Sequence, residues 1–473
     1  MQHTASSAPL SARSAEIFAG ESTDMVSTKP PSGMRDYLPD AVVKRRYVLS
    51  KVESVFQRYG FLPLETPTME HLSTLLGKYG DEGDQLLYRV LHRGERLGRT
   101  LAQAKIDLAD LAELGLRYDL TVPLARVVAQ YGHQLPRFFK RYQIQPVWRA
   151  DRPAKGRFRE FYQCDVDITG TTSLVAETEV MNAISEVLAE LGFHRVNIAL
   201  NHRVVLRSMI EVSGIAPALE GTALVAIDKL DKIGADGVRA ELMERGITSE
   251  AAQQLLALTT VAQDKDNAAT LQALRTMLPL PQAQQALSDL ETLCQLTADA
   301  PAGPRLRLTP ALARGLSYYT GPIFEVVSDD FSGSLGGGGR YDNLVGMFSN
   351  KQVPAVGFSL GLERILLLME EQQMFPPLRM AAEVMVCALP DTPLAPVVGL
   401  VSRLRQAGVT VELYPEQIRL GRQLAGADDL QIPYALIVGP DEVVQQRYTL
   451  KHLASGAQQQ LDEAALLEAL RPI

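Results

Sequence analysis

YQIQPVWRADRPAKGRFREFYQCDVDITG, residues 142–170, predicts two strands joined by a polar loop. Apolar residues predict one strand over 143–148 and a second over 161–168. Pro153 and Gly156 are turn residues, and the connection is too long for a tight two-residue turn. The stretch therefore predicts a β-hairpin with a long loop.

The loop of this hairpin concentrates positive charge. Its cations are Arg149, Arg152, Lys155, Arg157 and Arg159. Because these charges repel one another, the loop is stable mainly when it faces an anion, although a solvated basic loop is the alternative. In the second strand Gln163, Asp165 and Asp167 alternate and project from one face of the sheet. A polar strand face beside a cationic loop favours a substrate site over a packed core.

The segment resembles motif 2 of class II aminoacyl-tRNA synthetases, and of the histidyl-tRNA synthetases in particular. The resemblance runs from about Pro31 to the C-terminus and includes several separate motifs. It implies that Arg149 holds the α-phosphate of ATP and that Arg157 reaches the outer phosphates. It also implies a set of histidine-binding residues: Asp119, Thr121, Gln163, Asp167, Tyr318 and Tyr319.

Composition is ordinary for a large globular enzyme. A chain of 473 residues is long enough for about two to four domains. Its 46% hydrophobic and 22% charged residues are typical of soluble proteins, and no apolar run is long enough to span a bilayer. Three widely spaced cysteines indicate reduced thiols in a cytoplasmic protein, not disulfides or zinc ligands. The net charge of −8 argues against a protein coated in nucleic acid but allows a local basic track.

The N-terminal part predicts an extension followed by a helix and a strand. Residues 1–28 are rich in Ser, Thr and Ala and predict disorder. Asp40 is placed to cap a helix over 43–59, and residues 61–67 predict a strand interrupted by proline. This pair resembles class II motif 1, which implies a homodimer contact; a helix that packs on its own sheet is the alternative.

Asp119 lies where a strand-like segment, residues 116–126, turns into a helix. Such an aspartate is ordinarily a capping or turn residue. The resemblance instead places it beside the amino-acid pocket, where its carboxylate meets the α-ammonium of the substrate. Many bacterial members of the family carry Glu here, one methylene longer.

RGLSYYTG, residues 314–321, strongly resembles a hallmark of the histidyl enzymes, many of which have Asp where this chain has Ser317. Arg314 is then a second catalytic cation beside Arg149, and Tyr318 and Tyr319 are pocket aromatics. Without the resemblance, the tyrosine pair would more often be packing. The Gly336–Gly339 run allows the backbone to approach a ligand closely.

Residues 355–368 predict a strand that runs into an apolar helix and resemble class II motif 3. The resemblance implies that Arg364 stacks against ATP. Residues 201–300, rich in Ala, Leu and Gln, predict a set of amphipathic helices without a motif.

The last segment, residues 380–473, alternates strands and helices and predicts a small sheet with parallel pairs. It resembles the anticodon-binding domain of histidyl and related synthetases. Its 11 acidic and 7 basic side chains give a net charge of −4, so contact with RNA is expected to be local. The candidates are Arg419, Arg422 and Gln423.

Together these features predict an α+β catalytic domain on an antiparallel sheet, with a helical insertion and a C-terminal α/β domain. The predicted segments are an extension (1–28), a catalytic domain in two parts (29–200 and 301–373), the insertion (201–300) and the anticodon-binding-like domain (380–473).

The implied activity is ATP-dependent formation of histidyl-adenylate and transfer of histidine to tRNA(His), with AMP and diphosphate released. Mg²⁺ is expected to arrive with ATP, and no protein metal motif is present. The expected protein is a cytoplasmic homodimer without a membrane segment. The alternatives are a synthetase-like regulatory subunit of ATP phosphoribosyltransferase and another synthetase of the same subclass.

Overall fold

A computed structural model describes residues 27–78, 80–103, 105–313, 318–378 and 382–470. The extension predicted for residues 1–28 therefore lies almost wholly outside the described residues, and Arg314 lies outside them as well. None of the helices in the described ranges is both long enough and apolar enough to cross a membrane.

The strands before residue 362 form two sheets. They are β1 Leu62–Pro63, β2 Met69–His71, β3 Arg89–Leu91, β4 Ala112–Leu116, β5 Phe139–Trp148, β6 Glu160–Thr169, β7 Val196–His202, β8 Leu306–Leu308, β9 Pro322–Ser328, β10 Phe331–Arg340 and β11 Ala355–Gly361. The larger sheet has the order β1-β5-β6-β11-β10-β9-β7-β8, and the smaller has the order β2-β4-β3. The larger sheet is antiparallel except for a parallel pair at each edge, β1 with β5 and β7 with β8. The predicted antiparallel α+β fold is confirmed.

The predicted hairpin is confirmed and is longer than its apolar pattern indicates. β5 and β6 pair in continuous register from Phe139 opposite Thr169 to Trp148 opposite Glu160. Because side chains alternate along both strands, one face of the hairpin is apolar and the other is polar. Cys164, Val166 and Ile168 are buried in the main hydrophobic core.

Helices cover the sheet. Within the described residues, the helices up to β7 are α1 Pro39–Arg58, α2 Leu72–Leu75, α3 Gly80–Gln85, α4 Gly94–Leu101, α5 Leu108–Leu111, α6 Thr121–Tyr131 and α7 Val175–Glu190. α1 buries Val48, Val52, Val55 and Phe56, a one-face spacing that packs against the core. Asp40 is not its cap; Leu38 holds the cap position, and Asp40 pairs with Lys44 at 2.8 Å in the first turn.

A helical stretch connects β7 to β8. Its helices are α8 Arg203–Val212, α9 Glu220–Ile227, α10 Leu230–Glu244, α11 Ser249–Thr259, α12 Asn267–Met277 and α13 Pro281–Thr297. Since β7 and β8 are neighbours and parallel, the chain leaves the sheet and returns beside the strand it left. The predicted helical insertion into the catalytic fold is confirmed. After β11 the chain enters α14 Leu362–Glu371.

The C-terminal segment forms a third sheet. Its elements are β12 Val384–Ala388, α15 Leu394–Gln406, β13 Val411–Leu413, α16 Leu420–Asp429, β14 Tyr434–Val438, α17 Pro440–Gln445, β15 Tyr448–His452, β16 Gln458–Leu461 and α18 Glu463–Ala469. The order is β13-β12-β14-β15-β16, parallel in the first three strands and antiparallel in the last two. The α/β character is as predicted, whereas the β15–β16 hairpin was not predicted.

Candidate active site

Three neighbouring strands, β5, β6 and β11, align their polar residues in rows across one face of the large sheet. Gln145, Gln163 and Gly361 form one row, Gln143, Asp165 and Ser359 the next, and Arg141, Asp167 and Gly357 the third. Because successive rows are two residues apart on each strand, all three rows face the same side. The alternation of Gln163, Asp165 and Asp167 thus extends over three strands.

The third row is a buried ionic network. Arg141 is fully buried, its Nη2 lies 2.8 Å from Asp167 Oδ2, and it donates to the Leu120 carbonyl at 3.2 Å. The Tyr341 hydroxyl donates to the other oxygen of Asp167. Burial raises the pKa of Asp167 above its ordinary value, although Arg141 and Tyr341 oppose the shift. Asp167 is therefore held rigidly at one end of the site.

Gly357 makes room for this carboxylate. A Cβ at this position would lie 2.5 Å from Asp167 Cγ and 2.9 Å from the Val166 carbonyl oxygen. Ordinary contacts between such atoms are about 3.5 Å. Only glycine at position 357 allows Asp167 to occupy the third row.

Asp119, Thr121 and the tyrosine pair lie at the same end of the site. Asp119 Oδ1 accepts a hydrogen bond from the Val122 amide at 3.1 Å, at the first turn of α6, so Asp119 also caps that helix. Thr121 hydrogen-bonds to Tyr318. The Tyr318 ring meets Tyr319 edge-on at 5.0 Å. Burial raises the pKa of Tyr318 well above its ordinary value, so its hydroxyl stays protonated.

The opposite end of the site is cationic. The Arg149 guanidinium lies 4.2 Å from the Tyr118 ring and 5.1 Å from the Phe161 ring, and its Nε donates to the Tyr118 carbonyl at 3.1 Å. Aromatic contacts on this scale hold a guanidinium in place without neutralising it.

Arg157 and Arg364 complete this end. Arg157 pairs with Asp151 at 2.7 Å, and its side chain is 57% exposed. Arg364 donates to the carbonyl and hydroxyl oxygens of Ser334 on β10. The three arginines are therefore brought together from the β5–β6 hairpin and α14.

The cationic loop is braced by the N-terminal segment. Arg159 donates to the Gly33 carbonyl through its amide at 2.8 Å, and a Cβ on Gly33 would lie 2.7 Å from Arg159 Cγ. The Arg35 guanidinium lies 3.9 Å from the Phe158 ring and 3.8 Å from Glu363. Since Gly33 also has a φ of +81°, glycine suits this crossing in both conformation and size.

Glu363 connects the N-terminal segment to β6 of the large sheet. It is 5% exposed, accepts from the Tyr162 amide at 3.1 Å and from the Tyr37 hydroxyl at 3.4 Å. Burial raises its pKa. Its partners lie across the fold and not at the neighbouring Arg364.

The two ends enclose a cavity of about 520 Å³, a size typical of small-molecule sites. Its lining includes every predicted ATP or histidine residue that the structure describes: Asp119, Thr121, Arg149, Arg157, Gln163, Asp167, Tyr318, Tyr319 and Arg364. Gly336, Gly337 and Gly338 of β10 line it as well, so part of its wall is bare backbone.

Several lining residues were missed by sequence reasoning. Tyr341, Ser359, Glu325 of β9 and Asp228 after α9 line the cavity, and Arg141 lies beneath it. Arg141 could have been found, because it stands two residues before Gln143 in the alternation of β5. No comparable pattern surrounds Asp228 in the sequence, since it reaches the cavity only through the way the helical stretch between β7 and β8 folds back onto the sheet.

The described residues contain no group of three or more His, Cys, Asp or Glu side chains that could hold a metal ion. Mg²⁺ is often bound by only one or two carboxylates together with phosphates and water. The carboxylate of Glu325 in the cavity lining fits a magnesium ion that arrives bound to ATP.

In the C-terminal sheet, Arg419 and Arg422 are exposed at the start of α16. The assignment of Gln423 as an RNA-binding residue is wrong. Gln423 is fully buried, and its amide nitrogen donates to the carbonyls of Ala388 and Ile418, both at 2.8 Å. Its side chain fastens α16 to the sheet and leaves no surface for RNA.

The antiparallel sheet, the motif 2 hairpin and the arginine-lined cavity define the catalytic fold of the class II aminoacyl-tRNA synthetases. A family model described as Histidyl-tRNA synthetase matches residues 33–365, and one described as Anticodon binding domain matches residues 383–472. The chain belongs to the histidyl-tRNA synthetase family.

Curated relatives are similar to this chain over most of its length. A histidine–tRNA ligase of Gloeobacter violaceus is 43% identical over 453 residues, which cover 91% of this chain and 95% of the relative. One of Christiangramia forsetii is 40% identical over 452 residues, covering 93% and 98%. The solved structure of histidyl-tRNA synthetase from Nostoc sp. PCC 7120 has a TM-score of 0.79 at 30% identity and covers 94% of this chain and 99% of that one.

Proposed function

We propose that this protein activates histidine with ATP and transfers it to tRNA(His). A carboxylate oxygen of histidine attacks the α-phosphorus of ATP, the bond to the β-phosphate breaks, and diphosphate leaves. A ribose hydroxyl of the tRNA then attacks the carbonyl carbon of the adenylate, and AMP leaves. The observation that carries the proposal is a single cavity with carboxylates at one end and arginines at the other, in a chain of this family.

The arginine end suits the phosphates. Negative charge builds on the phosphoryl oxygens during the first step, and Arg149 is positioned between two aromatic rings to stabilise it. Arg157 and Arg364 would hold the outer phosphates and the nucleotide. Arg314 is assigned to the same α-phosphate from the sequence resemblance alone. A bound Mg²⁺ would neutralise charge on the ATP phosphates.

The carboxylate end suits the amino acid. Asp119 would meet the α-ammonium, with Thr121 and Gln163 beside it, while Asp167 and the Tyr318–Tyr319 pair would surround the imidazole. A pocket built from buried polar groups rejects an apolar side chain strongly, because its donors and acceptors are then left unpaired. Specificity for histidine follows from this arrangement.

Arg419 and Arg422 are proposed to contact the tRNA. Other cations of the same segment are already engaged: Arg403 pairs with Glu463 at 2.7 Å, and Arg405 donates to the Val411 carbonyl at 2.8 Å. The two candidates are exposed; Arg419 is the residue just before α16, and Arg422 lies in the first turn of that helix.

A cytoplasmic homodimer is proposed as the working form. β1 is an edge strand of the large sheet, and Leu62 on it is 50% exposed. An exposed apolar residue on an edge strand is a plausible contact with a second copy.

The regulatory-subunit alternative is less well supported. A structure titled as an ATP phosphoribosyltransferase regulatory subunit/histidyl-tRNA synthetase, from Bacillus halodurans C, has a TM-score of 0.70 but is only 20% identical, so the likeness concerns the fold. Such paralogues typically lack the anticodon domain, and here residues 383–472 match that domain model.

ATP–diphosphate exchange with each amino acid in turn tests the proposal. Exchange with histidine only, followed by charging of tRNA(His), is the expected result. Equal exchange with proline or threonine would refute it, and binding without any exchange would favour the regulatory alternative.

A further inference from the structure

In the part of the chain that the structure describes, the carboxylate end of the cavity contains more negative than positive charge. Asp165 and Asp167 are 1% and 2% exposed, and Arg141 between them is fully buried. A guanidinium remains protonated in proteins, so Arg141 balances one carboxylate. With both aspartates ionised, one negative charge would be buried without a counter-ion, which is strongly unfavourable.

The distances show which aspartate lacks the counter-ion. Arg141 Nη2 lies 2.8 Å from Asp167 but 3.9 Å from Asp165. Ser359, opposite Asp165 on β11, hydrogen-bonds to one carboxylate oxygen. Among the described residues, none makes a hydrogen bond with the buried Oδ1 atom of Asp165. Asp165 lines the cavity, so its carboxylate borders the space that a ligand would occupy.

Among the described residues that line the cavity, the cations Arg149, Arg157 and Arg364 lie at the other end and do not supply a counter-ion here. Asp119 just before α6, Asp228 after α9 and Glu325 on β9 line the same cavity and are acidic. Tyr318 and Tyr341 stay protonated, since burial raises the pKa of both hydroxyls. Burial likewise raises the pKa of Asp165 to about 7; Arg141 opposes this shift and Asp167 adds to it.

An imidazole that contacts both carboxylates is paired at both ring nitrogens only if the site retains an additional proton. A neutral imidazole has one N–H donor and one nitrogen acceptor, whereas two ionised carboxylates offer only acceptors. An unprotonated ring nitrogen that faces one of these carboxylates would then remain unpaired. If the site retains one additional proton, either on a carboxylate or on the ring, both nitrogens are satisfied and the negative charge is neutralised.

We propose, on the basis of the proposed function, that Asp165 is a specificity-determining residue that shares one proton with Asp167 beneath the bound histidine side chain. Above neutral pH the complex then holds one proton more than free enzyme and free histidine. Because the bound state holds more protons, raising the pH weakens binding. The shared proton therefore favours a side chain whose ring can both accept and donate a proton, as imidazole does.

Calorimetric titration of the full chain with histidine, in buffers of different ionisation enthalpy, counts the protons directly. Wild-type protein should take up almost no proton at about pH 6.5 and close to one at about pH 8, with affinity falling about tenfold between them. Asp165→Asn, nearly isosteric, leaves Asp167 paired with Arg141. This variant should take up almost no proton at either pH, and its affinity for histidine should differ by less than about twofold between the two pH values.

Asp119→Asn is the matched control, since it removes another acid from the same cavity. It should weaken binding and keep the wild-type proton count. No uptake by the wild type at about pH 8, or unchanged uptake in Asp165→Asn, would overturn the proposal. If Asp165→Asn does not fold, the wild-type count alone decides. Absence of histidine binding would instead refute the proposed function.

Discussion

Gly357→Ala tests whether the close packing of β11 against Asp167 positions the histidine pocket. The added methyl carbon would lie 2.5 Å from Asp167 Cγ and closer still to Oδ1, so the carboxylate or the strand must move by about 1 Å to restore ordinary contact. Asp167 cannot retreat easily, because Arg141 and Tyr341 hold its two oxygens. The backbone of Gly357 has no positive φ, so the clash alone determines the outcome.

The substitution should affect both the stability and the activity of the protein. Overpacking of a buried site costs about 1–3 kcal/mol in the free energy of unfolding. A displacement of about 1 Å in a binding group costs roughly 100-fold in activity. We therefore expect kcat/KM for histidine in ATP–diphosphate exchange to fall about 100-fold. The KM for ATP should change far less, because the arginines lie at the other end of the cavity.

Gly361→Ala is the control. It lies on the same strand and lines the same cavity, but its Cβ would meet nothing closer than the Leu335 carbonyl oxygen at 3.3 Å. Exchange kinetics and denaturant unfolding of both variants should show a histidine defect in Gly357→Ala only. Wild-type histidine kinetics in a folded Gly357→Ala protein would refute the role given to Asp167.

Three further variants test the other assignments. Arg314→Ala should lower the single-turnover rate of adenylation about 100- to 1000-fold with a much smaller change in the KM for histidine, as expected for a transition-state donor; a near-wild-type rate would leave Arg314 a structural role. Arg419→Glu or Arg422→Glu should weaken tRNA charging and spare exchange, and unchanged charging in both would place the anticodon surface elsewhere. Leu62→Asp should lower the molar mass measured by light scattering from dimer to monomer; a monomeric, fully active wild type would contradict the homodimer.

Periodicity made the central hairpin predictable. Alternation over 161–168 corresponds to β6, and the strand-to-helix pattern after residue 355 corresponds to β11 and α14. Each of these elements buries one face, so the apolar residues in its sequence recur at the spacing of that face. The resemblance to motif 2 supplied the arginines, which the same cavity brings together.

Residues whose role depends on distant partners were not predictable. The alternation of β5 places Arg141 on the polar face, but its buried ion pair depends on β6, which sets Asp167 opposite it. Gln423, beside two exposed arginines, resembles an RNA contact until the sheet below accepts its two hydrogen bonds. Tertiary packing decides both cases, and an amphipathic pattern contains no information about it.

Under the proposed function, the polarity of the cavity determines how the substrates lie. Arg149 contacts Phe161 at one end of β6, and Asp167 stands six residues along the strand, about 20 Å away at the rise of an extended strand. Histidine bound with its side chain toward the aspartates directs its carboxylate toward the arginines, where the α-phosphate is expected. The reverse orientation would place that carboxylate beside Asp165 and Asp167 and away from the arginines. Attraction at the arginine end therefore orients the nucleophile for attack, and under the proposed function catalysis requires positioned charge and no nucleophile from the protein.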